Sequence, residues 1–341
     1  MSLVYLSTLD LPDAWFDELA RRLPEVRIHR FPMGSSGVAP EPELLARAHL
    51  LHTSDWFPDA TSAPALRGIQ LDTSGVDHVR GTSLWASDVP IATLGGIAPV
   101  PMAEYALMSI LELAHRMPSI HRLRDERAWP GAKDRLADLT PRAIAGATVG
   151  IVGYGRIGRE ISRLAAPFGL RVLGVRRTDE SLAAGSSAEK FDTGRAGGVD
   201  HAAGVVPLER LDEVLTQSDF LVVVVPLTDL TRGMIGPEQL DRLPEGAYVI
   251  NIARGGIVDE SALRERLRSG RLAGAALDVF DDEPLPASSP WWDEPGVLVT
   301  PHVAGLAPHY HSQTLDLVVE NLNRIAQGRP LLNEVNRVAG Y

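Results

Sequence analysis

Short apolar runs alternate with segments of helical period along nearly the whole chain. Residues 3–6, 26–31, 49–53, 69–73 and 91–94 read as buried strands, with helical patterns at 13–23 and 42–48 between them. Strands separated by helices imply a parallel sheet covered on both faces. The first hundred or so residues therefore predict a small flavodoxin-like α/β unit. A long helical run, 102–117, follows, with Glu104 in its expected first turn, where a carboxylate suits the helix dipole. Residues 125–145 look irregular and read as an arm packing on a partner subunit, with Trp129 as a packing residue. A second alternating series begins at 148–152 and continues with strands at 171–175, 221–225, 248–252, 274–278 and 297–299. Several of these are nearly unbroken apolar runs, as expected of strands buried on both faces. The Gly-, Ser- and Ala-rich stretch 179–204 reads as a surface loop without catalytic content, and 313–327 as a last amphipathic helix. No internal repeat is visible.

A chain of 341 residues suits two domains, because one core rarely grows past about 250–300 residues. Its net charge of −11 repels phosphate backbones and anionic lipid, so nucleic acid and membrane surfaces are poor partners. An anionic substrate then needs a local cation. Cysteine is absent, which excludes disulfides, thiolate catalysis and Cys-ligated metals. The first ten residues lack a signal-peptide pattern and no uninterrupted apolar run is long enough to span a bilayer, so the expected location is cytoplasmic.

The strongest local motif is Gly153-Tyr154-Gly155-Arg156-Ile157-Gly158. Such a spacing is weak alone, but here a strand precedes it and a helix, expected over 159–168, follows. The first glycine permits a tight turn, the second lets backbone approach a pyrophosphate, and the third lets helix pack on strand. Free N–H groups at the helix start would face the phosphates. An NAD site usually carries an acidic residue at the end of the next strand, for the ribose 2′-hydroxyl. This chain has Arg176, Arg177 and Thr178, and guanidiniums match a 2′-phosphate. NADP(H) is therefore favoured and NAD(H) is the alternative, with Asp179 as a second candidate for the ribose.

Reduction of a 2-keto acid needs a cation for the carboxylate and carbonyl, an acid for the oxygen, and an anion to keep that acid protonated. Candidates stand at the ends of successive expected strands: Arg254 in Asn251-Ile252-Ala253-Arg254-Gly255-Gly256, Glu283 in Asp278-Val279-Phe280-Asp281-Asp282-Glu283-Pro284-Leu285, and His302 in Thr300-Pro301-His302-Val303-Ala304-Gly305. Ligands of open α/β sheets bind at those ends. The other histidines have no assigned role. His309-Tyr310-His311 lacks a carboxylate or thiolate to complete a metal site and reads as pocket wall or helix start, so no metal is expected.

From about Leu71 to Pro308, with more at 335–341, these segments resemble the D-isomer-specific 2-hydroxyacid dehydrogenase family of glyoxylate/hydroxypyruvate reductases, D-lactate dehydrogenases and short phosphoglycerate dehydrogenases. The runs Pro226-Leu227-Thr228 to Thr231-Arg232-Gly233-Met234-Ile235 and Pro290-Trp291-Trp292-Asp293 carry the likeness further. The resemblance implies that Arg254 binds the substrate carboxylate and carbonyl, that Glu283 pairs with His302 as acid/base, and that Asp278 meets the nicotinamide carboxamide. It places Pro226 and Thr231 on the cofactor side and the backbone amides of Ser74-Gly75-Val76 on the substrate carboxylate. Trp56 either lines the substrate pocket or simply packs.

The resemblance also implies a Rossmann-type doubly wound parallel-sheet domain over 103–303. A smaller flavodoxin-like substrate domain takes 1–102 and 304–341, the active site lies in the cleft, and the assembly is a homodimer. The expected activity is hydride transfer between NAD(P)(H) and C2 of a small anionic 2-hydroxy or 2-keto acid, reducing a keto acid such as glyoxylate or hydroxypyruvate. Three departures matter. Arg176 stands where the ribose-binding Asp is expected, the 179–204 loop is longer than the usual spacer, and no C-terminal regulatory domain follows. Glu283 argues against formate dehydrogenases, which carry Gln there. The rival reading is a nucleotide-sensing, corepressor-like binding protein on the same fold.

Overall fold

The unbroken apolar runs form strands buried on both faces, and these organise a computed structural model that describes residues 2–32, 39–177 and 201–341. Thr178 and positions 179–200 of the expected loop lie outside the described residues. Chain contacts divide the described residues into one unit of 2–97 with 307–341 and another of 98–177 with 201–306.

In the first unit, β1 (Val4–Ser7), β2 (Arg27–Arg30), β3 (Leu50–Thr53), β4 (Gly68–Leu71) and β5 (Ile91–Ala92) pair in parallel in the order β2-β1-β3-β4-β5. This is the doubly wound flavodoxin-like order. The helices α1 (Asp13–Arg22), α2 (Pro42–Leu45) and α3 (Ser83–Ala86) belong to it. The last helix, Tyr310–Gln327, packs Leu315, Val318, Leu322 and Ile325 against Trp15, Phe16 and Leu19 of α1. The C-terminal end of the chain thus completes the core of its beginning. Buried Asn321 ties this helix to β4 and to the tail, through Gln70 Oε1 at 2.8 Å and the Leu332 N–H at 2.7 Å.

The second unit opens with α4 (Pro99–Ala114), α5 (Met117–Asp125) and α6 (Ala132–Asp138). Its sheet holds β6 (Thr148–Val152), β7 (Arg171–Arg176), β8 (Gly204–Pro207), β9 (Phe220–Val223), β10 (Ala247–Asn251), β11 (Leu272–Leu277) and β12 (Val297–Val299). The order is β12-β11-β10-β9-β6-β7-β8, all parallel, so the winding reverses between β6 and β9 as in a Rossmann sheet. The helices α7 (Arg156–Ala165), α8 (Leu211–Leu215), α9 (Pro237–Arg242) and α10 (Glu260–Arg268) complete it. No helix among the described residues is long and apolar enough to cross a membrane.

Several local expectations need correction. The helix expected over 102–117 starts at Pro99, because proline's fixed φ and missing N–H suit the first helical position. Glu104 therefore lies beyond the first turn. The helix stops at Ala114, and Arg116 turns left-handed at φ 58° before α5 begins. The 125–145 arm is not irregular throughout, since α6 lies inside it. Within this chain Trp129 is not a packing residue: it is 87% exposed, with the Arg135 guanidinium 5.8 Å from its ring centroid. The short strand β8 was not expected. The helix after the glycine turn starts at Arg156, three residues before the expected start at Arg159 (159 − 156), so Arg156 and Ile157 belong to its first turn.

Candidate active site

The turn from β6 into α7 sits beside the reversal in strand order. Gly153 has φ 107°, and a Cβ there would stand 2.4 Å from the Val224 carbonyl oxygen. Only glycine fits. A Cβ on Gly158 would come within 2.8 Å of the Gly153 carbonyl oxygen, so helix and strand touch through bare backbone. Gly155, the residue before α7, differs: among the described residues, none but its chain neighbours comes within 4 Å of where its Cβ would be. That open face beside the helix N–H groups fits a dinucleotide pyrophosphate, which needs backbone to approach it closely.

Ile157 packs against the core, while Arg156 begins the helix. Arg176 is exposed at the end of β7, with Arg177 next to it, and among the described residues no carboxylate pairs with Arg176. Across the reversal, the loop after β9 is closed on itself: the Thr231 hydroxyl donates to the Pro226 carbonyl at 2.6 Å and accepts from the Thr228 N–H at 2.8 Å.

Farther along the same sheet, the loops after β10, β11 and β12 bring Arg254, Glu283 and His302 together. His302 Nδ1 lies 2.8 Å from Glu283 Oε2, and Arg254 Nη1 lies 3.5 Å from His302 Nε2. The carboxylate fixes the Nδ1 proton and turns Nε2 toward the guanidinium. With side chains 43% and 35% exposed, the imidazole and carboxylate remain open to a ligand.

Each loop is held from behind. The Asn251 side chain accepts from the Ala253 N–H and donates to the Arg254 carbonyl, shaping the turn that carries the guanidinium. Glu283 Oε1 accepts from the Phe280 N–H at 2.9 Å, which leaves Oε2 for the imidazole. The two loops meet as backbone: a Cβ on Gly255 would fall 2.0 Å from the Phe280 carbonyl oxygen. Asp281 accepts from the Gly256 N–H at 2.5 Å. Glu260, in the first turn of α10, accepts from the Asp281 N–H at 2.6 Å and the Trp291 indole at 2.7 Å. Burial raises the Glu260 carboxyl above its ordinary pKa. Sequence reasoning missed Glu260 and Asp281, although both stand within the quoted catalytic segments or just beyond them.

Asp278 is only 1% exposed, and its carboxylate accepts from the Thr300 hydroxyl and the Val303 and Ala304 amides. A cavity of about 450 Å³ opens beside Glu283 and His302, walled by Phe280, Leu285, Trp292 and Val299.

The remaining expected site residues belong to the first unit. Ser74 is exposed and Val76 buried in the turn after β4, where the Thr73 hydroxyl donates to the Gly75 carbonyl at 2.8 Å. Trp56 is half-buried and packs against the cluster containing Leu51, Ile69 and Leu71. His309 caps the last helix and Tyr310 starts it. Among the described residues no group of three His, Asp or Glu side chains could hold a metal ion.

A parallel sheet with a glycine-lined phosphate cradle at its reversal, and a carboxylate-backed imidazole facing a guanidinium on the same edge, defines a nucleotide-dependent oxidoreductase. Residues 107–304 match the model for the NAD binding domain of D-isomer specific 2-hydroxyacid dehydrogenases. The chain belongs to that family and is an NAD(P)-dependent enzyme of 2-hydroxyacid oxidoreduction.

The glyoxylate reductase of Korarchaeum cryptofilum is 33% identical over 276 residues, covering 81% of this chain and 78% of that one. Glyoxylate/hydroxypyruvate reductase A of Salmonella typhimurium is 28% identical over 335 residues, 96% of each chain. Among solved structures, the NADPH-dependent glyoxylate/hydroxypyruvate reductase of Sinorhizobium meliloti, in complex with NADP and sulfate, aligns with TM-score 0.80 at 27% identity, covering 99% of this chain and 100% of that one. A D-isomer specific 2-hydroxyacid dehydrogenase from Xanthobacter autotrophicus, in complex with NADPH and MES, aligns with TM-score 0.77 at 32% identity, covering 100% and 99%. Nothing in these comparisons favours the corepressor-like alternative.

Proposed function

We propose that this protein reduces a small 2-keto acid of the glyoxylate or hydroxypyruvate type, with NADPH preferred over NADH. The observation that carries the reaction is the Glu283–His302–Arg254 arrangement, an imidazole fixed at Nδ1 with its other nitrogen beside a guanidinium. Arg254 binds the substrate carboxylate and draws electron density from the keto oxygen. His302 gives its Nε2 proton to that oxygen, and Glu283 stabilises the imidazolium before the transfer. The bound dinucleotide supplies the hydride that C2 receives. The residues that would hold it are Gly153, Gly155, Arg156, Ile157 and Gly158, with the 226–231 loop across the reversal.

Arg176 supports NADPH, because an exposed guanidinium at this strand end matches a 2′-phosphate where an acidic residue would repel it. Arg177 and Thr178 extend the same reading. Asp278 for the nicotinamide carboxamide, the amides of 74–76 for the substrate carboxylate, and Trp56 for its side chain complete the assignment. A cytoplasmic homodimer is the assembly proposed, and sedimentation analysis checks it.

The test crosses glyoxylate, hydroxypyruvate, pyruvate and a bulky aryl keto acid with NADPH and NADH. Turnover of glyoxylate and hydroxypyruvate with NADPH in clear excess over NADH is expected. No turnover of any keto acid, or a preference for NADH, breaks the reading at the corresponding step. Arg254→Ala should lower kcat and raise KM together, and wild-type kinetics would remove Arg254 from the mechanism.

A further inference from the structure

His302 sits in a backbone conformation that its side chain disfavours. Its φ is 55°, in the left-handed region that non-glycine residues seldom adopt. Something must hold the turn there, and Asp278 does so from both ends. Its carbonyl accepts from the His302 N–H at 2.9 Å. Its carboxylate accepts from the Val303 N–H and the Ala304 N–H, each at 2.9 Å. The hydroxyl of Thr300, at the other end of the turn, donates to the same carboxylate at 2.6 Å.

Proton counting extends the chain by one residue. The Thr300 oxygen also lies 2.5 Å from the Tyr105 hydroxyl, and a threonine hydroxyl has a single hydrogen. That hydrogen goes to the Asp278 carboxylate, the stronger acceptor, so Tyr105 is the donor to Thr300. Burial raises the Tyr105 pKa, which keeps its proton in place. Among the described residues, Glu283 and Arg254 face the imidazole nitrogens and Asp278 holds the backbone of its turn.

We propose that Thr300 and Tyr105 are positioning residues for His302, acting through Asp278 to hold the acid/base turn in its left-handed form. This rests on the reading of His302 as the proton donor. Neither side chain has to touch substrate or cofactor for this. Both act by fixing the direction in which Nε2 points, and so how the imidazole shares its proton with Glu283.

The test uses the full-length enzyme with NADPH and glyoxylate. Thr300→Val, nearly isosteric, removes a hydrogen bond to a charged group and should lower kcat/KM about 10- to 100-fold. It should shift the pH–rate profile. Thr300→Ser should restore most of the rate. Tyr105→Phe removes a neutral donor one step farther away and should lower kcat/KM about 3- to 10-fold, with the same profile shift. It keeps the test open if Thr300→Val does not fold. Unmoved pH profiles with a loss only in thermal midpoint overturn the proposal. His302→Gln runs beside them: wild-type turnover there overturns both this inference and the acid/base reading. An inactive His302→Gln with unaffected Thr300 and Tyr105 variants overturns the inference alone.

Discussion

His302 and His52 both lie against a carboxylate, one in each unit, and they are built for opposite ends. His52 on β3 is fully buried, with the Tyr5 hydroxyl 2.7 Å from Nδ1 and Asp72 Oδ1 3.3 Å from Nε2. Both ring nitrogens face protein, so no ligand can exchange a proton with either. His302 gives only Nδ1 to its carboxylate, and its other nitrogen faces a guanidinium on an open surface. A histidine–carboxylate pair therefore says little about catalysis by itself. What separates a structural pair from a chemical one is the direction of the second nitrogen.

The contrast breaks most sharply at His302. His302→Gln should lower kcat about 1,000-fold, within the range for loss of a general acid, while the thermal midpoint stays put. A loss of stability instead would make His302 a second His52. Next in size is the phosphate cradle. Gly155→Val fills space that no described residue beyond its chain neighbours enters, so the fold should tolerate it. NADPH affinity should fall about 100-fold by titration, and unaltered affinity would move the cofactor elsewhere. His52→Gln is the converse case. It leaves the buried Tyr5 hydroxyl badly matched and should cost about 1–3 kcal/mol in denaturant unfolding. Turnover per folded molecule should not change, and a selective loss of turnover would erase the distinction drawn here. The smallest effect is expected at the end of β7. Arg176→Ser should narrow the NADPH-to-NADH preference about 10-fold, chiefly through the KM for NADPH, and an unchanged ratio would assign the choice to other residues.

Most strands of both sheets were legible because they are largely apolar runs between turn signals, although β2, Arg27–Arg30, is polar, and the glycine turn was legible because each glycine has its own steric reason. Arg254, Glu283 and His302 were legible because each stands at a strand end in a distinctive segment. The residues that hold them were harder to read. Thr300 reaches a carboxylate 22 positions back and Tyr105 reaches Thr300 across 195, and such pairings leave no periodicity in the chain. The strand β8 escaped notice because Gly204–Pro207 is half-buried and follows a stretch of small residues. The helix expected from 102 begins at Pro99, because proline suits the first helical position.

The last helix carries a consequence for biosynthesis. Trp15, Phe16 and Leu19 leave the ribosome well before the side chains that cover them, Leu315 to Ile325. The stretch 98–306 holds all the strands of its own sheet and meets no such delay. The core of the first unit can therefore close only after residues 98–306 have been made, against the usual N-terminal-first order. Until then the apolar face of α1 lacks the helix that covers it.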